Sequence, residues 1–260
     1  MRNLTIILLV LLITVLSISL IRRRDSLFVG YAATQQESKV DRANKANRAF
    51  PVAQFDEEEP NSEQGRQMKE KRQRYNASHL VVPNPAAWVS EGVLSSEGYL
   101  DFPALPVIES DAILIATVST SEAHVSENKR GVFSEFNLAV ESVLKNHNDL
   151  KEGSLLSVDR VGGYVKYPNG QQVLYRVSGV NMPEVGTRYL FFLSGKKKPD
   201  LIILTAYALT SEGVSALDFS SQFLSLDGIS ETEIKKRVQD LLSTRVGLAR
   251  AAAAAFFSVA

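Results

Sequence analysis

The sequence predicts a mainly β protein, in which a small closed or partly closed β-barrel over residues 105–220 is followed by a C-terminal α-helix within 229–260. Short apolar runs separated by turn residues recur through 105–220, as in small barrels of six to eight strands. A capped, amphipathic helix pattern begins at Ser230. Two segments precede the barrel, an apolar one over 1–24 and a polar one over 25–104.

The predicted strands differ in how many of their faces are apolar. Ala112–Val118 is apolar on both faces, and Tyr189–Leu193 is the most apolar run of the module. Such strands need cover on each side, which closure of the sheet and a packed helix provide. Phe136–Val140 alternates apolar with polar residues, which is typical of a strand with one dry face. Leu155–Val161 and Leu201–Leu209 complete the series.

A hairpin is predicted where Tyr164–Tyr167 and Gln172–Val177 flank Pro168-Asn169-Gly170. Proline presets the turn and glycine accepts the left-handed position after it. Gly162-Gly163, just before the hairpin, favours a bulge or a sharp bend. One hairpin face is expected to be core and carries Val165, Tyr167, Val173, Tyr175 and Val177.

The other face of the hairpin is the candidate ligand- or partner-binding surface. Tyr164 and Lys166 share it, and Arg176 on the returning strand joins them. Aromatic and basic side chains on a barrel face can stack on bases or sugars. The alternative is an ordinary amphipathic hairpin whose Lys and Arg extend their charged ends to water.

A C-terminal helix is predicted from a capping box, in which Ser230 accepts from the Glu233 amide and the Glu233 carboxylate reaches back. Its apolar stripe, Ile234, Val238, Leu241 and Leu242, is expected to pack on the barrel. The alanine-rich tail beyond it is too short to span a bilayer.

The N-terminal run from Leu4 to Ile21 carries no charge and no proline, and Arg22-Arg23-Arg24 follows. As a helix it would extend ~27 Å, close to the apolar thickness of a bilayer. An uncleaved membrane anchor is the favoured interpretation, with a cleavable signal peptide as the alternative. The three arginines favour a cytoplasmic C-terminal domain, whereas the signal-like N-terminus favours export. We expect a single-pass membrane protein with a periplasmic domain.

The segment 25–104 is expected to be a flexible polar linker. Thr34–Val82 is rich in Gln, Asn, Arg, Lys, Glu and Ala without a sustained period, and such composition buries too little apolar surface to become ordered. A short helix over Ser62–Tyr75 is compatible with its residues. Its basic run, Lys69–Arg74, is interpreted as part of a solvated tether.

The sequence lacks the motifs of most catalytic and metal-binding sites. The chain has equal numbers of acidic and basic residues and no cysteine, so nucleic acid is not an expected partner and thiolate chemistry is excluded. No nucleophile elbow, P-loop or HExxH motif is present. His79, His124 and His147 are expected to be solvated loop residues. The sequence therefore predicts no catalytic residue, no metal and no cofactor.

Five sequence words occur in order: SDAILIATV, AHVSENKRGVFSEFNLAVESVLK, DRVGGYVKYPNGQQV, MPEVGTRYLFFL and ILTAYAL. Together they resemble a family of bacterial extracytoplasmic proteins of unknown function, of the kind seen in acidobacteria. The resemblance covers about Ser110 to Asp218. It implies an oligonucleotide/oligosaccharide-binding-type (OB) or netrin-like β-barrel and an exported location, and it implies no activity and no catalytic residue.

Three functions remain open from the sequence. The first is a non-enzymatic binding or interaction module that is tethered to the membrane and recognises an envelope protein or a glycan. The second is an envelope hydrolase with a site assembled from loops, in which His124 or His147 meets a carboxylate or serine. The third is a structural subunit of an envelope assembly, with the C-terminal helix or Phe256-Phe257 as its contact.

Overall fold

Strands dominate the part of the chain that the computed structural model describes, which is residues 50–56, 62–76, 81, 85–86, 89–94, 101–146, 149–195 and 201–257. Its strands are β1 Val52–Gln54, β2 Glu91–Leu94, β3 Ala112–Val125, β4 Val132–Asn146, β5 Leu155–Val161, β6 Gly163–Lys166, β7 Gln172–Val177, β8 Arg188–Ser194, β9 Ile202–Thr210 and β10 Gly213–Ala216. Its helices are α1 Glu63–Arg74, α2 Ser221–Leu224 and α3 Glu231–Phe257. The run Leu4–Ile21, His79 and His147 lie outside the described residues.

Five strands close into a ring in the order β3-β4-β5-β9-β8, and β8 pairs again with β3. Neighbours in the ring are antiparallel except β5 and β9, which run parallel and are joined at Asp159 and Ile202. β10 extends the sheet beside β9. The mainly β class, the ring-like sheet and the C-terminal helix are therefore confirmed. β3 and β4 are longer than predicted, and beyond three register shifts their pairing continues through polar residues such as Ser121 and Glu122.

The hairpin β6–β7 forms the centre of a second sheet, in the order β1-β6-β7-β2. β1 pairs with β6 and β2 pairs with β7, both in parallel. Both outer strands come from the segment 25–104 that was expected to be a flexible linker. Phe50, Ala53 and Val81 from that segment are buried, and contacts group Ala49–Ala260 as one compact unit. The described parts of this segment are thus folded, because the open edges of the hairpin provide backbone hydrogen-bond partners.

Three apolar clusters hold these layers together. One fills the ring, and its members include Phe136, Leu138 and Phe191. A second lies around the hairpin sheet and contains all five residues of the predicted core face of the hairpin, which is confirmed. The third joins the outside of β3, β8 and β9 to α2 and α3.

Gly162 and Gly163 turn the chain from the ring into the second sheet. Gly162 has φ +113°, and a Cβ there would lie 3.0 Å from the Tyr175 carbonyl oxygen and 2.9 Å from Met182 Cε. Only glycine fits this backbone conformation and this close approach. The predicted sharp bend is confirmed, and it places β6–β7 beside the ring as a separate layer.

Helix α3 packs on the ring through part of its predicted stripe. Ile234 and Val238 are buried and Leu242 packs against the same cluster, whereas Leu241 is 46% exposed. Ser230 Oγ accepts from the Glu233 amide at 3.2 Å, and the Glu233 carboxylate accepts instead from Arg237 Nε at 2.8 Å. Among the helices described, none is both long and apolar enough to cross a membrane.

Candidate functional site

Helix α1 begins at a side-chain cap and lies against the ring. Ser62 Oγ accepts a hydrogen bond from the Gly65 amide at 3.1 Å, which satisfies one free donor of the first turn. The helix that was compatible with Ser62–Tyr75 is therefore present. Its basic run is not a solvated tether, because Lys71 and Arg72 are each only 6% exposed. These two side chains face the protein from an element that sequence composition assigned to solvent.

Lys71 attaches α1 to the ring by contacting two carboxylates on adjacent strands. Its ammonium group pairs with Asp159 on β5 at 2.6 Å and with Glu135 on β4, and these two residues are direct cross-strand neighbours. Tyr75 donates from its hydroxyl to Asp159 at 3.2 Å and stacks on Phe133 with ring centroids 4.0 Å apart. Two carboxylates and one ammonium share a largely buried site.

Burial raises the pKa of Asp159 to about 6, and the pairing with Lys71 opposes that rise only in part. A carboxyl with a raised pKa beside a second carboxylate is a pattern found in acid–base catalysis. Here Lys71 contacts both carboxylates under α1. This arrangement indicates that Asp159 and Glu135 hold α1 in place, and it does not favour a pair of carboxylates that face a substrate.

The turn between β3 and β4 is tied to the C-terminal end of α1. Ser126 Oγ accepts from the amides of Gly131 at 2.7 Å and Arg130 at 3.2 Å, which fixes the turn. The Asn76 side chain accepts from the Asn128 amide at 2.8 Å, and the Asn128 side chain donates to the Asn76 carbonyl. This paired amide contact holds helix and turn at a fixed separation.

Gly131, in the β3–β4 turn, lies where the turn comes closest to the C-terminal end of α1. A Cβ at Gly131 would overlap the Tyr75 carbonyl oxygen, which is backbone and cannot rotate away. We expect Gly131→Ala to lower the free energy of unfolding by about 1–2 kcal/mol and to increase amide exchange in α1. Gly153→Ala is the matched control, since nothing lies within 4 Å of that Cβ position, although its φ of +78° adds a local cost. Exchange in α1 that matches the wild type would contradict the prediction.

A cleft of about 270 Å³ opens between α1, the end of β1 and the β3–β4 turn. Its lining residues are Gln54, Phe55, Lys69, Arg72, Val125, Ser126, Glu127 and Lys129. Lys69 pairs with Glu127 at 3.5 Å. Lys129 pairs with Asp56 at 3.0 Å and lies 4.9 Å from the centre of the Phe55 ring. The cleft therefore combines exposed ion pairs with a basic wall.

The Glu127 carboxylate is the acidic member of this lining. Hydrogen bonds from Gln73 and Asn76 lower its pKa, and the nearby Lys69 ammonium lowers it further. Glu127 is therefore ionised at neutral pH. Among the lining residues three side chains are cationic and one is anionic, and the Asp56 carboxylate adds a second negative charge beside Lys129.

The three hairpin residues of the predicted binding surface lie apart from this cleft. Tyr164 is half-buried and its ring meets Phe50 edge-on, with centroids 6.4 Å apart. Arg176 donates to Glu91 on β2 at 2.6 Å. Lys166 is exposed at the end of β6, where β1 pairs alongside. Binding at this surface stays a prediction, and two of its three members already contact Phe50, just before β1, and Glu91 on β2.

His124 is not the solvated loop residue that the sequence suggested. It lies on β3 with 3% exposure, its ring 5.4 Å from that of Phe133. It is not among the residues that line the cleft. Within the described residues there is no group of three or more His, Asp or Glu arranged to hold a metal ion.

Sequence reasoning missed the cleft because its members come from three separate segments. The available signal was the pair of basic runs, Lys69–Arg74 and the Lys129-Arg130 pair of the β3–β4 turn. Comparison of the chain with protein-family models, curated proteins and solved structures finds no match.

Proposed function

We propose that this chain is a non-catalytic binding module of the bacterial cell envelope, built on an OB- or netrin-like β-barrel. The cleft between α1 and the β3–β4 turn is the observation that carries the proposal. Numbered within the ring alone, the strands follow the order first, second, third, fifth, fourth, and the third and fifth are parallel. That order supports an OB-like barrel, a fold that uses the loop between its first two strands to bind ligands.

The binding site supports recognition more than reaction. The cleft lies beside the turn between the first two ring strands, and two of its lysines, Lys69 and Lys129, form exposed ion pairs. Its described lining contains no histidine. An envelope glycan or an envelope protein is the proposed partner, and the balanced charge of the chain argues against nucleic acid.

The proposed location follows from the apolar run Leu4–Ile21. We propose that it anchors the chain as a single-pass protein with its domain in the periplasm. Protease treatment of intact cells and of spheroplasts tests this orientation. Digestion only after the outer barrier is opened is the expected result, whereas protection in intact spheroplasts would place the domain in the cytoplasm.

Binding is tested with purified peptidoglycan sacculi and the full chain in a mild detergent. We expect the wild type to sediment with sacculi and Lys69→Glu/Lys129→Glu to lose most of that retention, because the variant reverses the charge of the cleft. The matched control, Lys151→Glu/Lys236→Glu, makes the same charge change in the turn between β4 and β5 and on α3. It should sediment like the wild type.

A third variant, Lys166→Glu/Arg176→Glu, tests the hairpin surface in the same assay. Loss of retention in this variant alone would assign binding to the hairpin and contradict the cleft. Wild-type protein that stays in the supernatant would exclude the glycan as ligand. Equal retention of every variant would show that neither surface is used.

A further inference from the structure

The cleft carries more positive than negative side chains, although the chain as a whole has no net charge. Its lining contributes the cations Lys69, Arg72 and Lys129. Two carboxylates oppose them, Glu127 in the lining and Asp56, which pairs with Lys129. Two of the cations come from α1, and the third comes from the opposite wall, the β3–β4 turn. Positive groups on facing walls with a small space between them favour an anion that reaches both.

The two lysines are available to such an anion at small cost. Lys69 and its partner Glu127 retain 51% and 34% exposure, and their nearest charged atoms are 3.5 Å apart. Lys129 and Asp56 are similarly exposed at 3.0 Å. Ion pairs this exposed contribute little to stability, so a bound anion can replace either carboxylate as the partner.

Arg72 differs from the lysines because it is held in place before any ligand arrives. It is 6% exposed, lies in the last turn of a helix, and lines the cleft. A guanidinium group presents planar, paired donors that match the oxygens of a carboxylate or phosphate. Since its side chain is already ordered by burial, binding there costs less conformational entropy.

We propose, resting on the binding function proposed above, that the cleft binds a phosphate or carboxylate group of a small ligand, with Arg72 as its central contact and Lys69 and Lys129 on either side. The volume of about 270 Å³ is below that of pockets for drug-sized ligands. The cleft therefore accommodates one anionic group and the sugar or amino-acid unit that carries it.

The test is a titration of the ¹⁵N-labelled full chain in detergent micelles, at constant ionic strength, with inorganic phosphate, acetate and glucose in separate arms. We expect saturable shifts of the Asn128 and Gly131 amides with phosphate or acetate and none with glucose. The arm that saturates at the lower concentration identifies the anion. Lys69→Gln/Lys129→Gln should raise the dissociation constant at least tenfold, and Lys151→Gln/Lys236→Gln should leave it unchanged.

Arg72→Gln tests the central contact and should abolish saturation. Because Arg72 is buried, Arg72→Lys is included, which keeps the charge, and it should retain weakened binding. The inference is overturned if neither anion gives saturable shifts, if glucose shifts the same amides, or if Lys69→Gln/Lys129→Gln binds as tightly as the wild type. If sacculi still retain the wild type in any of these cases, the proposed binding function stands and only its anion chemistry is wrong.

Discussion

Replacing Asp218 with alanine should lower the free energy of unfolding by about 3–5 kcal/mol, since it leaves a buried guanidinium without its counter-ion. Arg160 lies on the same face of β5 as the interior residues Leu156 and Val158, and its side chain is fully buried. Its Nη2 donates to both carboxylate oxygens of Asp218 at 2.7 Å. Among the described residues, no hydrogen-bond partner faces Arg160 Nε or Nη1.

Asp218 also accepts from the Asn181 amide at 3.0 Å and from the Thr205 hydroxyl at 2.8 Å. The control is therefore Arg160→Leu combined with Asp218→Asn, which removes both charges and keeps an oxygen acceptor. We expect the double variant to be clearly more stable than Asp218→Ala. Urea unfolding followed by circular dichroism measures both, and a loss below about 1 kcal/mol for Asp218→Ala would contradict the prediction.

Asp159→Asn should raise the free energy of unfolding at pH 7 by about 1–3 kcal/mol. The folded-state pKa of Asp159 is about 6, against about 3.9 in an unfolded chain. The folded protein therefore binds this proton more tightly than the unfolded chain does. The stability that protonation contributes is present below about pH 4 and is lost as the pH rises through 6. Asparagine imitates the protonated carboxyl and removes this loss.

The measurement is urea unfolding of wild type and variant between pH 4 and pH 8. We expect the difference between them to grow with pH over the range 4–6.5 and then to become constant. Asp240→Asn on α3 is the control, because Asp240 and its partner Lys236 are exposed at 66% and 69%. It should change stability by less than about 0.5 kcal/mol at any pH. A variant Asp159→Asn that is less stable than the wild type at pH 7 would refute the argument.

Local patterns predicted the parts of the fold that depend on neighbouring residues. The hairpin around Pro168-Asn169-Gly170, the strand Leu155–Val161 and the bend at Gly162 all follow from turn chemistry or periodicity within a few positions. The α3 cap at Ser230 was found for the same reason. The predicted reciprocal contact of the capping box was wrong, because the Glu233 carboxylate accepts instead from Arg237 one turn later.

The folded role of the described residues between 50 and 94 could not be predicted from local patterns in the same way. β1 and β2 are three and four residues long, and their order depends on hydrogen bonds to β6 and β7. Backbone pairing places few demands on side chains, so a polar composition does not exclude it. Lys71 is buried because Glu135 and Asp159 lie opposite, and that pairing is visible only once β4 and β5 are aligned.

The candidate cleft was unpredictable for a related reason. Phe55, Arg72 and Lys129 are far apart along the chain and meet only when α1 is tied to the β3–β4 turn through Asn76 and Asn128. The sequence indicated basic residues in both places. The distance between these basic residues depends on the tertiary fold and cannot be predicted from local patterns.

The parallel pairing of β1 with β6 joins Val52 to Tyr164, about 110 residues later. On a ribosome that adds about 5–20 residues each second, β1 would emerge roughly 6–20 s before the strand beside which it lies. During that interval β1 is without the strand that it pairs with in the folded protein. Correct assembly of this protein therefore depends on keeping an early segment unattached until a late one is complete, and a delay in synthesis between the two would extend its exposure to aggregation.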